Sequence, residues 1–370
     1  MLVLLDCRMA SWSGVGRYTT GLARALAARD DVELVQVCAV GADPSVGPGA
    51  GVAVVTAAVH PFGVRGALEL GRLGRKVKPD LVHCPHFPTP APVRGPLVVT
   101  LHDLTPLLVS GVMPSAAKRV VYRRWNARAA RLADRVVVPS RATAADVERL
   151  FPAAHGKLAV TAEAADDFST GPIGPLTGVL AHLAAPPYLL SMGNAKPHKD
   201  LPTLLRAFAH LAPAWPDIRL LLVGAEPPGN LGAVLEGVPA DVHARVAFTG
   251  PVSDAELRAL YAGASAFVFP SRYEGFGLPP LEAMALGAPV VCADAASLPE
   301  VVGDAALLFP AGDSGALTRA LKNMLGDSAL RERLSRAGRE RAARLTWEST
   351  AAATVAAYRE ALWHFASRRA

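Results

Sequence analysis

Two glutamates, Glu274 and Glu282, stand in a stretch rich in glycine and proline, SRYEGFGLPPLEAMALGAPVV, which begins at Ser271. The apolar run that leads into it, SAFVFPS, predicts a buried strand, and open α/β sheets bind their ligands at the carboxyl ends of such strands. Gly275 and Gly277 would leave the backbone there bare enough for a ligand to approach closely. Glu274, at the tip of the predicted strand, is therefore a candidate for direct contact with a bound molecule.

The second glutamate lies in a predicted helix, LPPLEAMALG, because proline is favoured in a first helical turn and Gly287 suits the far end. The unpaired amides of that first turn, with the positive end of the helix dipole, form a site suited to phosphate. Glu282 lies about one turn inside, and helical side chains lean back toward the N-terminus, so its carboxylate can reach hydroxyls beyond a phosphate. Two glutamates at this spacing are common and would not by themselves indicate a site. Here a strand, glycines, prolines and a helix start accompany them in order, so the two carboxylates would lie at opposite ends of a ligand that has a diphosphate in its middle and hydroxyls at both ends. That describes a nucleotide sugar.

Elements that could hold this stretch recur along the whole chain. Apolar runs rich in β-branched residues alternate with helical patterns, which predicts parallel sheets buried on both faces. The first half contains the runs MLVLLD, VELVQVCAV, GVAVVTA, LVHCP, PLVVTLHD and RVVVPS, and the second half contains YLLSMG, IRLLLVG, RVAFTG, SAFVFPS, APVVCAD and AALLFPA. Glycine and proline interrupt the pattern from Ser169 on, where we place a boundary. We therefore expect an α/β protein of two Rossmann-like, doubly wound domains with a cleft between them, followed by a segment that is helical throughout.

Composition narrows the class of protein. The 370 residues are enough for two domains, and no apolar run approaches the roughly 18–20 residues that a transmembrane helix needs. The apolar N-terminus, MLVLLDCRMA, is interpreted as a first strand and not as a signal peptide. The cysteines lack metal-ligand spacing and are expected to be reduced, buried thiols of a cytoplasmic protein. They are Cys7, Cys38, Cys84 and Cys292.

The formal net charge of +6 is concentrated in two segments that are typical of basic amphipathic helices. One contains Lys118, Arg119, Arg123, Arg124, Arg128 and Arg131 with Val120, Val121, Tyr122 and Trp125 between them, and the other contains Arg65, Arg72, Arg75, Lys76 and Lys78. Both could be solvated helix faces or contacts with an anionic membrane surface, which would make the protein a peripheral one on the inner face of the membrane. No aromatic-rich RNA motif or zinc-finger spacing accompanies the charges, so nucleic acid is not an expected partner.

Several common catalytic motifs are missing from the sequence. Gly14, Gly16 and Gly21 miss the dinucleotide-binding spacing, and no acidic residue ends the second predicted strand to hold a ribose. The sequence also has no P-loop lysine motif and no Gly-x-Ser-x-Gly elbow. These absences weaken the oxidoreductase, NTPase and hydrolase interpretations.

Several motifs of the chain resemble those of a known family. EGFGLPPLE is similar to the Glu-x7-Glu signature of the retaining glycosyltransferases with the GT-B fold, known as family 4 or group 1. The sequence of the motif is most similar to that of bacterial GDP-mannose-dependent mannosyltransferases. SGVGRY, TLHDLTP, VVPSRATAADV and YLLSMGNAKPHKDLPTLLRAF extend the resemblance over nearly the whole chain. It implies an acceptor domain over residues 1–170, a donor domain over 187–348, and a helix over 349–370 that crosses back to the first domain.

The resemblance also implies roles for individual residues. Glu274 and the neighbouring amides would hold the donor sugar, Glu282 the ribose, and Lys199 the diphosphate. Asn194 stands where relatives usually have an arginine, so Lys199 and the helix start would carry more of the charge, with Lys196 as a candidate substitute. His102 matches the histidine beside the donor sugar. The candidate catalytic residues are thus His102, Lys199 and Glu274; the donor-binding ones are Gly14, Gly16, Asn194, Gly275, Phe276, Gly277, Leu278 and Glu282; and Asp103, Lys196 and Glu163 are acceptor-side or additional candidates.

The expected reaction is transfer of a hexose, with mannose from GDP-mannose favoured over UDP-glucose or another hexose, to a saccharide or lipid-linked acceptor with retention of configuration. The sequence shows no Asp-x-Asp in a metal-binding setting, so neither a metal nor another cofactor is expected. A non-catalytic sugar-nucleotide binder and a GT-B epimerase are the alternatives, although an epimerase would not be expected to carry Glu-x7-Glu. His83 and His86 are interpreted as structural or acceptor-side residues.

Overall fold

The computed structural model describes residues 1–41, 52–90, 95–185, 187–193, 196–224 and 239–368, apart from the side chain of Ser13. The chain divides into two compact units. The first unit comprises Met1–Leu107, Met113–Ala164 and Thr346–Ala370, and the second comprises Leu108–Val112 and Ala165–Leu345.

The first unit is built on a parallel sheet. Its strands are β1 (Leu2–Asp6), β2 (Glu33–Ala39), β3 (Ala53–Ala57), β4 (Leu81–Cys84), β5 (Leu97–Thr100), β6 (Arg135–Val138) and β7 (Leu158–Val160). They lie in the order β3-β2-β1-β4-β5-β6-β7, and every pairing is parallel. The first six were predicted. The seventh was not, because its three residues, LAV, are too short to show a pattern.

The connecting helices of the first unit follow the predicted alternation. They are α1 (Ser13–Ala27), α2 (Val64–Val77), α3 (Thr105–Leu108), α4 (Ala116–Leu132) and α5 (Arg141–Leu150). Ser115 and Ser140 cap α4 and α5 by accepting hydrogen bonds from backbone amides of the first turn, which stabilises each helix start.

The second unit repeats the plan. Its strands are β8 (Tyr188–Met192), β9 (Arg219–Val223), β10 (Val246–Gly250), β11 (Ala266–Phe269), β12 (Val290–Asp294) and β13 (Ala306–Pro310), in the parallel order β10-β9-β8-β11-β12-β13. Its helices are α6 (Asp166–Ser169), α7 (Gly178–Leu183), α8 (Leu201–Leu211), α9 (Ala240–His243), α10 (Asp254–Gly263), α11 (Leu278–Ala285), α12 (Leu298–Val302), α13 (Ser314–Gly326) and α14 (Ser328–Ala343). All six strands predicted for this half are present.

The order of the strands indicates where each sheet would bind a ligand. Each sheet runs outward in both directions from a central pair, β1 and β4 in the first unit and β8 and β11 in the second. In doubly wound sheets the crevice beyond the carboxyl ends of such a pair is the place where ligands bind. The predicted α/β, doubly wound fold class is confirmed.

The sequence predicted a C-terminal segment that is helical throughout. This prediction is wrong, because the segment contains two separate helices. After α14 ends at Ala343, a new helix, α15 (Trp347–Ser367), begins. Thr346 caps the new helix: its hydroxyl accepts from the amide of Ser349 at 3.1 Å, and the Ser349 hydroxyl bonds back to the amide of Thr346. A reciprocal cap of this kind starts a helix and so interrupts the preceding one. α15 packs on α1 and β6 within the first unit and contributes to its apolar core.

Candidate active site

An ion pair lies at the carboxyl edge of the second sheet. Lys199, in the loop after β8, places its Nζ 2.7 Å from Oε1 of Glu274, in the loop after β11. Both side chains are about one-sixth exposed, and the lysine nitrogen also lies 5.1 Å from the centre of the Phe269 ring. Since β8 and β11 form the central pair of this sheet, the fold brings the two predicted residues together at the ligand-binding crevice.

Hydrogen bonds between the two loops hold the pair in place. Arg272 donates its Nε to Asp200 at 2.7 Å and its amide to the carbonyl of His198 at 2.7 Å. Ser271 donates its hydroxyl to the same carbonyl at 3.2 Å and also contacts Oε1 of Glu274. These supporting residues were not predicted from the sequence, although Ser271 and Arg272 lie within three residues of Glu274.

Gly193 shows why glycine follows β8. Its φ of +138° is unfavourable for other residues, and a Cβ there would lie 3.2 Å from Cδ of Lys199. The glycine therefore leaves room for the lysine side chain. Lys196 lies just beyond it and is exposed, whereas Asn194, the predicted replacement for the family arginine, lies outside the described residues.

The loop from Glu274 to the start of α11 is fixed from one side. The hydroxyl of Ser297 donates to the carbonyl of Glu274 at 2.9 Å and to that of Phe276 at 2.5 Å. Gly277 has a φ of +125°, and a Cβ on it would lie 2.9 Å from Leu298. The loop, which includes Gly275, therefore enters the helix at Gly277 in a conformation that favours glycine.

The helix begins as predicted, with Leu278 and two prolines in its first turn. Glu282 lies inside this helix and is only 3% exposed. Its Oε2 accepts a hydrogen bond of 3.2 Å from the hydroxyl of Tyr261 on α10. This contact holds the carboxylate in one orientation, and Tyr261 was not among the residues predicted for the site.

In the first unit, His102 follows β5 and uses both ring nitrogens. Nδ1 lies 3.0 Å from Oε1 of Glu163, and Nε2 lies 2.9 Å from the carbonyl oxygen of Pro85. A carbonyl oxygen only accepts, so Nε2 carries a proton in this arrangement, and the Nδ1 contact needs one proton between ring and carboxylate. The edge of the Tyr18 ring packs 4.6 Å from the imidazole. The structure thus brings two predicted residues, His102 and Glu163, into direct contact.

The neighbouring candidates have other local contacts. Asp103 accepts a hydrogen bond of 2.8 Å from the amide of Thr105 and so begins the short helix α3. Gly14 is exposed on the first turn of α1, with open space where a Cβ would stand. Gly16 is buried, and a Cβ there would lie 2.3 Å from the carbonyl oxygen of Ala10. Close packing therefore explains Gly16 without a ligand, while the space beside Gly14 is available to one.

The two histidines near the end of β4 differ in environment. His83 is fully buried, with Nδ1 2.7 Å from the Tyr358 hydroxyl and Nε2 2.8 Å from the Thr100 hydroxyl, so it is a structural residue of the core. His86 is partly exposed as a whole residue, but Nδ1 of its ring is buried. Burial, with the charge of His102 as a smaller cause, lowers the pKa of both His83 and His86 from 6.5 to about 3. Both rings are therefore neutral at physiological pH.

Three further findings concern the described residues as a set. No helix among them is both long and apolar enough to cross a bilayer. No three His, Cys, Asp or Glu side chains within the described ranges are grouped to hold a metal ion. The four cysteines are free, and burial raises the pKa of the Cys7, Cys84 and Cys292 thiols.

Known proteins share this arrangement of motifs. Residues 12–166 match the family described as Glycosyltransferase Family 4, and residues 179–341 match Glycosyl transferases group 1. O-antigen chain mannosyltransferase B of Escherichia coli is 31% identical over 290 residues, which cover 77% of this chain and 75% of the relative. The chain belongs to the family 4, group 1 glycosyltransferases.

Other relatives of this glycosyltransferase differ in what they are named for. Glycogen synthase of Mycobacterium tuberculosis is 29% identical over 398 residues, covering 95% of this chain and 93% of the relative. The solved structure of sucrose-phosphate synthase from Thermosynechococcus elongatus superimposes with a TM-score of 0.77 at 22% identity, over 97% of this chain and 98% of that one. The fold is therefore GT-B and the enzyme is a hexosyltransferase, while the relatives leave its donor open.

Proposed function

We propose that this glycosyltransferase moves mannose from GDP-mannose to a saccharide or lipid-linked acceptor, with retention of the anomeric configuration. The ion pair of Lys199 and Glu274 at the central strand ends carries the proposal, because it places a cation and a hydroxyl-binding carboxylate at one ligand-binding edge. The mannosyltransferase from Escherichia coli supports mannose as the sugar. The competing donor is a UDP-hexose.

The proposed chemistry follows from the charge that the reaction develops. Breaking the bond between the sugar C1 and the phosphate oxygen leaves negative charge on the diphosphate. The ammonium group of Lys199 and the amide of Leu278, which opens α11 ahead of two prolines that carry no N–H, are preorganised to stabilise that charge without rearrangement. The acceptor oxygen forms its bond to C1 on the face that the diphosphate leaves, and its proton passes to the departing phosphate oxygen. This route gives no role to a metal or to another cofactor.

Glu274 would exchange its partner when the donor binds. In the structure its Oε1 accepts from both Lys199 and Ser271. A bound diphosphate would attract the lysine and leave the carboxylate to accept hydrogen bonds from sugar hydroxyls. Glu282, held by Tyr261, is proposed to accept from the ribose.

The donor proposal is tested by thermal unfolding with GDP, UDP, GDP-mannose and UDP-glucose. A ligand at a hundredfold excess over its Kd stabilises the folded state by about 3 kcal/mol, so the correct nucleotide raises Tm visibly. We expect GDP and GDP-mannose to do so in the wild type and to lose most of the effect in Lys199→Met. Lys322→Met, which replaces an exposed lysine on α13, is the matched control and should respond like the wild type.

Two outcomes would contradict the proposal in different ways. Stabilisation by UDP and UDP-glucose alone would replace the donor and keep the site. No stabilisation by any of the four compounds would remove the donor site itself. The stereochemistry has its own test: an inverted anomeric product in an NMR assay excludes the proposed route.

We also propose that α2 and α4 contact an anionic membrane surface, where a lipid-linked acceptor would be found. Both helices expose apolar side chains: Val64 and Leu68 on α2 are 72% and 54% exposed, and Val120 and Val121 on α4 are 50% and 53% exposed. Exposed basic residues accompany them, namely Arg65, Arg72, Arg75, Lys76, Lys118, Arg119, Arg123, Arg124 and Arg131. Apolar side chains among cations are typical of helices that lie on anionic lipid.

Topology places both helices on one face. α2 leads from β3 to β4 and α4 from β5 to β6, so both crossovers run in the same direction across the sheet. Right-handed connections therefore place them on the same face of the sheet. Arg128 does not belong to this surface, because it turns inward to contact Thr89 and the carbonyl of Pro90.

Vesicle sedimentation tests the membrane contact. We expect the protein to sediment with phosphatidylglycerol vesicles but not with phosphatidylcholine vesicles, and equal binding to both contradicts the proposal.

A further inference from the structure

Aromatic rings form a continuous row at the carboxyl edge of the first sheet. The aromatic row consists of Trp12, His60, Phe62, His86, Phe87 and His102. Successive ring centres lie at contact distance: 5.5 Å from Trp12 to Phe62, 6.2 Å from Phe62 to His86, and 6.2 Å from His86 to His102. His60 stacks on Phe62 at 5.4 Å, with 30° between the planes.

The row is assembled from four loops. Trp12 follows β1 and directly precedes α1, and His60 and Phe62 lie between β3 and α2. His86 and Phe87 follow β4, and His102 follows β5. Every one of these loops leaves the carboxyl end of a parallel strand, which is the edge at which this fold binds ligands. Loops that are far apart in sequence therefore contribute to a single surface.

Burial changes along the row. Phe87 is 7% exposed and packs against Tyr122 at 5.0 Å, so it forms the base. Trp12, at 42% exposed, and His60 lie at the open end. Because a large aromatic side chain is stabilised by burial, exposed rings that stack on one another next to a site need a reason other than core packing.

A polar group in the row has no partner among the described residues. Nδ1 of His86 is buried and makes no hydrogen bond in that part of the chain. The neighbouring ring of Phe87 lies 4.1 Å from the imidazole centre and offers it only a face or an edge. A buried polar atom without a partner costs free energy, so a ligand hydroxyl that reaches it would be favoured.

We propose that the aromatic row binds the sugar rings of a saccharide acceptor, an inference that rests on the proposed transferase function and names its acceptor class. The negative face of an aromatic ring attracts the weakly positive C–H groups of a sugar, and imidazole nitrogens exchange hydrogen bonds with its hydroxyls. The row supplies both kinds of group in alternation. An alkyl chain would gain no hydrogen bond from the imidazoles of His60 and His86, so the row favours the saccharide part of the acceptor over a lipid part.

The test measures sugar binding directly. Saturation-transfer NMR is recorded with the methyl glycosides of mannose, glucose, galactose and N-acetylglucosamine, and with cyclohexylmethanol as an apolar probe. At least one glycoside is expected to bind the wild type, with an affinity reduced about fivefold or more in Trp12→Ala and in His60→Ala. Trp363→Ala is the matched control, since Trp363 is 65% exposed and packs against His364 at 4.7 Å, as Trp12 packs against His60.

The outcomes separate this inference from the proposed function. The absence of glycoside binding, equal binding by Trp12→Ala and the wild type, or an equal loss in Trp363→Ala would each overturn it. So would a loss of cyclohexylmethanol binding in Trp12→Ala that matches the loss of glycoside binding, because the row would then be a general apolar surface. The Tm shift with nucleotides is measured on the same samples. If no nucleotide shifts Tm while glycoside binding depends on Trp12, the donor proposal fails and the saccharide site stands.

Discussion

At the scale of single residues, each unit contains a pair of candidate residues that the sequence separates widely. Glu274 meets Lys199 across 75 positions, and His102 meets Glu163 across 61. The residue types could be selected from the sequence, because a carboxylate at a strand tip and a histidine after a strand are chemically informative. Lys199 and Glu163 were also selected, but their contacts with Glu274 and His102 could not be predicted, because each contact depends on which strands are neighbours. Glu163 is the clearest example: its contact with His102 defines what it does.

The contact predicts a graded effect of substitutions at Glu163. Glu163→Leu removes the hydrogen bond that fixes the His102 ring, and misplacement of a group near the reaction costs up to about a hundredfold in rate. Glu163→Gln can still bond to Nδ1, since its amide donates as well as accepts. We therefore expect kcat to fall about tenfold to a hundredfold in the leucine variant and to recover to within about tenfold of the wild type in the glutamine variant. Nucleotide release from the donor is the assay.

Two comparisons make this prediction specific. Glu33→Leu replaces an exposed glutamate of β2 and should leave kcat unchanged. The KM for the donor should also change little in the Glu163 variants, because Glu163 contacts the histidine and is not assigned to the nucleotide. Equal losses in the leucine and glutamine variants would show that orientation of His102 by a hydrogen bond is not the role of Glu163.

At the scale of elements, the first unit depends on the packing of its last helix against its first. Gly21 on α1 faces Trp347 at the start of α15, and a Cβ on the glycine would lie 2.2 Å from Cε2 of the indole. Trp347 is 5% exposed and also approaches the Tyr18 ring at 6.1 Å. The absence of a side chain at Gly21 is thus what allows the two helices to approach closely. Tyr18 links this packing to His102.

Gly21→Ala tests the close approach. Alanine gains up to about 1 kcal/mol of helix propensity over glycine, but overpacking a rigid core contact costs about 1–3 kcal/mol. The indole cannot move aside as a flexible side chain could, so we expect a net loss on the order of 1–2 kcal/mol in urea unfolding. Gly14→Ala, in the same helix with open space around it, should be neutral or stabilising. A stable Gly21→Ala variant would show that α15 can shift on α1 at little cost.

The elements also show what the sequence could predict. Twelve of the strands stood out because a parallel strand buried on both faces is almost continuously apolar. β7 did not stand out, because its three residues, Leu158–Val160, are too few to show the pattern. The interruption between α14 and α15 was missed because alanine and arginine surround it, and only the cap formed by Thr346 and Ser349 interrupts the helical pattern. The aromatic row was missed altogether, because its rings come from separate loops.

At the scale of the whole molecule, stability depends on groups that are buried in a neutral form. His83 lies in the core of the first unit between Tyr358 and Thr100, and His86 lies in the aromatic row. Burial, and to a smaller extent the charge of His102, lowers the pKa of each to about 3, whereas an unfolded chain would titrate near 6.5. Between these values the unfolded chain binds protons that the folded chain excludes. The folded state therefore loses stability as the pH falls below about 6.5, and gains nothing further from these groups above it.

The size of this loss can be measured. Each histidine contributes a slope of about 1.4 kcal/mol per pH unit inside the window, so the two together remove about 3 kcal/mol per unit of acidification. We expect the free energy of unfolding in urea to fall with this slope between pH 6 and pH 5, and His83→Gln, which can still hydrogen-bond to Tyr358 and Thr100, to show about half of it. His210→Gln replaces an exposed histidine and should keep the wild-type slope. An unchanged slope in His83→Gln would mean that His83 accepts a proton within the folded core, and acid would then weaken the protein through other groups.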